Sequence, residues 1–298
     1  MPSKTTLTLL GLALYATSAI GHGHVREVIA NGVTYPGYDR WGSDDQSDAV
    51  TWSYTTKDEG PVSIDDINGP NIACHNGAKN AQSSVPVKAG DTITLKWFNE
   101  IGGFEHPGPI MHYLAPCGSS GCFDVDKTEL SFFKFFESGL LVPGAPEEGV
   151  DPAWVTQQWA TTDVHKNVTE VQDGWIDTYT VTLPKDIKAG PYVLRHEMLG
   201  LHMADQNNAE FYPQCINLEI SGSGATEPEG QPASEFYKSD DPGIDIDIWR
   251  DLKSYSIPGP ALYTSGDSAT SNGRSAAGKS TTVQRSTRVH ARDLQQRF

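Results

Sequence analysis

Apolar and polar residues alternate over short stretches along most of this chain, and Gly, Pro, Asn and Asp separate the stretches. In Thr92-Ile93-Thr94-Leu95-Lys96-Trp97 the apolar side chains fall on one face, the period-two pattern of a strand buried on one side. The same pattern predicts strands over residues 25–29, 84–87, 92–98, 110–114, 175–183, 192–197 and 214–220. Long helical periodicity is scarce. Seven or more short strands with turn residues between them predict an all-β chain, an immunoglobulin/fibronectin-like β-sandwich with long surface loops. Residues 99–109 and 132–158 are too long for hairpin turns and are expected to build a surface beyond the sandwich.

The two ends of the chain depart from this pattern. Lys4, the apolar run at residues 7–16 and Ala19-Ile20-Gly21 read as a cleavable export signal over residues 1–21. The run is too short to span a bilayer, and no later segment approaches twenty apolar residues, so a secreted, extracellular product is expected. Pro258-Gly259-Pro260 closes the folded part near Tyr263. Residues 265–298 are rich in Ser, Thr, Gly, Ala, Arg and Gln and read as a disordered tail, which leaves 22–264 as one folded domain.

Composition narrows the partners. Residues 22–264 carry 15 basic and 36 acidic side chains. Such a surface repels nucleic acid and anionic lipid and suits a neutral polymer such as a polysaccharide, although acidic balance also serves solubility. Cys74, Cys117, Cys122 and Cys215 form an even set in an exported chain and read as two disulfides, with three pairings open; the close spacing favours Cys117 with Cys122. Oxidised sulfur binds no metal, so any metal here is held by nitrogen and oxygen. Asn167-Val168-Thr169 is the one glycosylation sequon, with Asn167 the acceptor.

Cleavage after Gly21 makes His22 the first residue. An N-terminal histidine chelates: its α-amine, with an ordinary pKa of about 8, yields a proton at little cost, and its own imidazole supplies a second nitrogen. One further imidazole completes a T-shaped set suited to copper rather than to tetrahedral structural zinc. Among the other histidines, His106 stands in the rigid loop Glu105-His106-Pro107-Gly108-Pro109 that enters a predicted strand. Tyr212 lies three residues before Cys215, where a disulfide would fix its backbone and let the phenol serve as a weak axial oxygen ligand. Arg195-His196-Glu197-Met198-Leu199-Gly200-Leu201-His202 is not a zinc-protease signature, because its histidines are six apart and Gly200 interrupts them. A histidine and an arginine of this segment would instead be sensible donors beside an oxygen-binding metal.

The order of these fragments resembles a known family. His22-Gly23-His24-Val25, Asn31-Gly32, His106-Pro107-Gly108-Pro109-Ile110, Tyr113-Leu114-Ala115-Pro116-Cys117, Leu194-Arg195-His196-Glu197, Leu201-His202, Phe211-Tyr212-Pro213-Gln214-Cys215 and Tyr255-Ser256-Ile257-Pro258-Gly259-Pro260 together look like the fungal lytic polysaccharide monooxygenases of auxiliary activity family 9. The resemblance covers residues 22 to about 263. It implies a copper ion held by His22 and His106 with Tyr212 axial, His202 beside them, and the disulfides Cys74–Cys215 and Cys117–Cys122. It also implies that Tyr255 is exposed on a flat, sugar-facing surface. The family usually carries glutamine where this chain has Glu210, two residues before the axial tyrosine. Glutamine can donate a hydrogen bond there, whereas an ionised glutamate only accepts.

The resemblance implies oxidative cleavage of β-1,4-glucan, cellulose and associated hemicellulose, at C1 or C4. One copper, O2 or H2O2 as cosubstrate, and an electron donor such as ascorbate, a small phenol or a redox protein would be required. A monomer is expected. The alternative is a secreted copper-binding or polysaccharide-binding protein without oxidase chemistry, which would release no oxidised oligosaccharides in the presence of a reductant. Glycoside hydrolysis would need a facing pair of acids, which an acidic surface alone does not identify.

Overall fold

A computed structural model describes residues 22–43, 45–56, 59–100, 106–144 and 158–265. The export signal and the tail beyond residue 265 lie outside the described residues, and the compact body ends at Ser265. Among the described residues fourteen strands follow in chain order: β1 His24–Ala30, β2 Val33–Pro36, β3 Val62–Ser63, β4 Val85–Lys88, β5 Thr92–Asn99, β6 Ile110–Pro116, β7 Ser131–Ser138, β8 Leu140–Val142, β9 Gln158–Trp159, β10 Thr169–Val171, β11 Gly174–Thr182, β12 Gly190–Gly200, β13 Glu210–Ser221 and β14 Gln231–Pro232. Two short helices, α1 Asn71–Cys74 and α2 Ala160–His165, sit between them. No helix among the described residues is long and apolar enough to cross a membrane.

One sheet has the order β10-β11-β5-β1-β2. The other runs β14-β7-β6-β12-β13-β3, with β4 parallel to β13. Val25, Val28, Ile93, Leu95 and Val181 of the first sheet pack against Leu114, Leu194, Ile216 and Leu218 of the second, so the core lies between the sheets as the alternation predicts. All seven predicted strands form. β12 and β13 run several residues beyond the predicted limits, because loops cover the outer face of their sheet as well as its inner face. On that outer face Met111, Val193, Leu199 and Phe211 meet Ile72, Ile244 and Ile248. With both faces buried, β12 shows no alternation toward its end.

The same cause corrects one expectation. Part of residues 132–158 was expected to lie outside the sandwich, yet Phe132 and Phe133 are buried in β7, which pairs with β6. Consecutive aromatic residues conceal a strand whose two faces are both covered. Short pairing strands also escape the sequence pattern. β1 and β2 are joined through Asn31 at φ 52° and Gly32 at φ 76°, the Asn-Gly turn whose positive φ values match the twist of a hairpin.

Disulfides join Cys74 to Cys215 and Cys117 to Cys122. The first ties α1 to the middle of β13. Beneath it, wholly buried Arg195 donates to both carboxylate oxygens of Glu197 at 2.5 and 2.7 Å and to the Ile72 carbonyl at 2.7 Å. Tyr237 also donates to Glu197, and the Tyr113 and Tyr237 hydroxyls are 2.9 Å apart. Burial is the largest single influence on the guanidinium and disfavours its charge; Glu197, followed by Tyr237 and Tyr113, outweighs it and holds the proton on.

His112 and His196 are direct partners across the β6–β12 ladder, and their rings share a 2.9 Å hydrogen bond inside the core. No hydrogen bond reaches the outer nitrogens, His112 Nδ1 and His196 Nε2, among the described residues. Burial pushes the His112 imidazole down to about 3, and burial followed by His112 and Arg195 holds His196 well below the ordinary histidine value. Both are neutral in the folded chain. Below pH ~6.5 the unfolded chain takes up protons that the folded chain refuses, so stability is complete above that pH and falls as the pH drops toward the folded values. Denaturant unfolding at pH 7, 6 and 5 should show a loss approaching about 1.4 kcal/mol per pH unit for each histidine. A His112→Leu/His196→Leu double variant is expected to have a flatter profile by that amount.

Candidate metal centre

The site forms where β12 ends and β13 begins. Gly200 pairs with Glu210 and Met198 with Tyr212, so the two strands arrive at one edge of the sandwich in fixed register. Period two then places Glu210 and Tyr212 on the same face. Tyr212 belongs to the core between the sheets, whereas Glu210 lies one step nearer the edge and is part-exposed. β3 continues the ladder by pairing Ser63 with Glu210.

His106 enters from the loop before β6. The amides of Leu201 and Leu199 donate to the carbonyls of Pro107 at 2.9 Å and Pro109 at 3.2 Å, laying the loop along the end of β12. Close approach dictates the neighbouring residues. A Cβ on Gly108 would stand 1.7 Å from the Leu199 carbonyl oxygen, and one on Gly200 would stand 3.2 Å from His106 Cβ and 3.5 Å from Glu210 Cβ. Thr161, wholly buried at the start of α2, donates through Oγ1 to the His106 carbonyl at 2.7 Å.

His22 comes from the segment leading into β1. Its ring centroid lies 6.4 Å from that of His106 and 6.2 Å from that of Tyr212, and the His106 and Tyr212 rings are 6.1 Å apart. Three rings therefore face a common centre from three separate parts of the chain. Ligand atoms of His22, His106 and Glu210 all lie within 4.8 Å of one another, close enough for one cation to bridge them. Tyr212 donates to Glu210 Oε2 at 2.8 Å, and the same oxygen is 3.4 Å from His106 Nε2.

His202 follows β12 and stacks on His106, with centroids 4.0 Å apart and planes inclined by 19°. Its Nε2 stands 3.9 Å from Glu210 Oε1, and Trp249 Nε1 holds its backbone by donating to the His202 carbonyl at 3.0 Å. Burial, followed by the nearby His202 and His22, keeps the His106 imidazole well below the ordinary histidine value. Burial is also the main cause lowering His202, and the Glu210 carboxylate opposes it. Neutral imidazoles present lone pairs, which a metal requires.

The donors are thus two imidazoles, a carboxylate and a phenol. All four cysteines are in disulfides, so no thiolate competes. Such a nitrogen and oxygen set, with His22 and Glu210 only part-buried, fits a copper ion and does not make a closed tetrahedral zinc site.

One sequence expectation is corrected here. Tyr255 is not an exposed platform: its ring meets Trp159 edge-on at 4.8 Å, and its hydroxyl donates to the Gly243 carbonyl at 2.7 Å. Arg195 faces the outer side of its sheet and is engaged by Glu197, away from the centre. His196, one residue on, faces the sandwich interior and bonds His112. Asn167 is exposed in the turn after α2. Thr161, Gly200 and Trp249 carry no sequence signal, because each acts on residues distant in the chain.

Known proteins share this arrangement of fold and chain. The profile of Auxiliary Activity family 9 (formerly GH61) matches residues 22–256. AA9 family lytic polysaccharide monooxygenase A of Malbranchea cinnamomea is 41% identical over 271 residues, which cover 90% of this chain and 75% of that protein. AA9 family lytic polysaccharide monooxygenase cel61A of Hypocrea jecorina is 38% identical over 281 residues, 93% of this chain and 76% of that protein. Among solved structures, the extended catalytic domain of H. jecorina LPMO9A superimposes with a TM-score of 0.72 at 38% identity, covering 86% of this chain and 97% of its own. A cellulose-active polysaccharide monooxygenase from M. thermophila gives a TM-score of 0.65 at 27% identity, covering 81% and 99%. A profile match across most of the chain, with relatives near 40% identity, means that the chain belongs to Auxiliary Activity family 9 and is a lytic polysaccharide monooxygenase.

Proposed function

We propose that this is a secreted copper enzyme that cleaves cellulose oxidatively, with His22 as its mature N-terminus. The observation that carries the reading is the convergence of His22, His106 and Glu210 ligand atoms within 4.8 Å, beside the Tyr212 ring. In support of the N-terminal assignment, the family profile begins to match at residue 22. Cellulose is the proposed substrate because a structural neighbour is described as cellulose-active and because an acidic surface tolerates a neutral polymer.

His22 would hold the ion through its amine and its ring, His106 through its ring, and Tyr212 through its phenol oxygen. When bound, copper would supply the activation of O2 or H2O2 needed to oxidise C1 or C4 of a sugar, with electrons from an external donor such as ascorbate, a phenol or a redox protein. The chain's own residues prepare the site. Thr161 fixes the His106 loop, and Tyr212 holds the Glu210 carboxylate by its 2.8 Å hydrogen bond. His202, stacked on His106, presents a nitrogen toward Glu210. From there His202 and Glu210 would orient the cosubstrate and hold its protons. Asn167 is the proposed glycan acceptor, exposed in the turn after α2.

Two outcomes test the reading. Replacing His22 by Ala, or leaving one residue ahead of it, should weaken Cu(II) binding by at least roughly a hundredfold, since either change removes one nitrogen of the amine–imidazole pair and with it the chelate ring. Reductant-dependent oxidised oligosaccharides from cellulose should disappear with it in mass spectra. Intact affinity and products in the His22→Ala protein would reject the assignment. Glu210→Gln removes a negative charge beside the cation but keeps an oxygen to accept from Tyr212. Competition titration should show Cu(II) binding weakened about tenfold, or about 1.4 kcal/mol, with oxidised products still formed.

A further inference from the structure

The geometry points to Glu59 as a positioning residue that, through a buried contact with His24, sets the orientation of the His22 ligand. This rests on the proposed role of His22 in the copper centre and adds to it a residue far away in the chain.

His24 is the first residue of β1, two positions after His22, and is wholly buried. Its Nδ1 lies 2.5 Å from Glu59 Oε1 across 35 residues of sequence. Tyr54 donates to the same carboxylate oxygen at 3.0 Å, and its ring packs 5.9 Å from that of His24. Phe98, the β5 residue paired with His24, closes the other side of the imidazole at 5.7 Å. The side chain of His24 is therefore fixed from three directions.

Two features are hard to explain by stability alone. Glu59 adopts φ 55°, the left-handed conformation that is unfavourable for a glutamate. His24 Nε2 is buried, with no hydrogen bond reaching it among the described residues. A valine or phenylalanine at position 24 would meet the same aromatic neighbours without either disadvantage. What the histidine provides is a directional bond that stops the strand from sliding or rotating about its axis.

Rotation matters because only Gly23 separates this anchor from His22. A Cβ on Gly23 would lie 2.2 Å from the Phe98 carbonyl oxygen and 2.4 Å from Trp97 Nε1, so the backbone there lies flat against β5. Gly23 permits the close approach but contributes no side chain to define orientation. His24 is the nearest residue that can define it. The chain at residues 22–24 is thereby located from below by Trp97 and from the side by Glu59.

Copper affinity of the apo protein and the Cu(II) electron paramagnetic resonance spectrum test this without any turnover. Glu59→Ala should raise the copper dissociation constant about tenfold, shift the parallel hyperfine splitting, and speed amide exchange at residues 23–26 of the apo protein. Glu59→Gln, which still offers an oxygen to His24 and Tyr54, should restore most of the affinity and the native spectrum. Val87→Ala, a cavity in β4, is the control that lowers the melting temperature and leaves copper binding unchanged. Native affinity and spectrum in Glu59→Ala, or an equal loss in Val87→Ala, would overturn the inference. If Glu59→Ala does not fold, Tyr54→Phe decides, with a twofold to threefold weaker affinity expected and none contradicting it. Absence of tight copper binding by the native protein would instead reject the proposed centre itself.

Discussion

The antiparallel pairing of β12 with β13 is the constraint on which the rest depends. Its register sets Gly200 against Glu210 and Met198 against Tyr212, and a slip of one residue would turn both Glu210 and Tyr212 away from the centre. The pairing is hard to disturb because its sheet is buried on both faces and because Cys215, near the middle of β13, is bonded to Cys74. Eleven residue pairs, from Gly190–Ile220 to Gly200–Glu210, hold the two strands together. The site is thus a sheet edge to which a loop carrying His106 and the segment leading into β1 are joined.

The two faces of that sheet carry opposite solutions to the burial of polar groups. On the outer face, Arg195 keeps its charge because Glu197, two tyrosines and two backbone carbonyls satisfy it. On the inner face, the histidine pair at positions 112 and 196 gives up charge altogether. Alternation along a single strand, Arg195 outward and His196 inward, separates them by only one residue. At the edge of the same sheet, burial again favours neutral imidazoles in His106 and His202, but there the part-buried His22 and Glu210 bring further ligand atoms within reach of one cation. The groups that stand beside each imidazole separate the histidines that pack from those that can hold an ion.

How much of this was legible differs from residue to residue. Strands 92–98, 110–114 and 175–183 were readable because short-range alternation reports directly which face is buried. β7 was hidden because its neighbours cover both faces, and β3, β8, β9, β10 and β14 were hidden because two or three paired residues make no pattern of their own. His22, His106, Tyr212, His202 and Glu210 were named through local motifs and a family resemblance, and they do converge. Tyr255 was misjudged because exposure is a property of what packs nearby, here Trp159 and the Gly243 carbonyl.

By itself the sequence determined the all-β class, the candidate donors, the even set of cysteines and the chelating character that His22 would have as a first residue. These follow from chemistry and periodicity contained within a few consecutive residues. Tertiary structure decided which atoms meet: Thr161 on the His106 carbonyl, Trp249 on that of His202, Glu59 on His24, and Glu210 between a phenol and an imidazole. Those contacts join positions up to 104 residues apart, as between His106 and Glu210. No local pattern encodes such a meeting, because it depends on strand register and on the loops that cover each sheet.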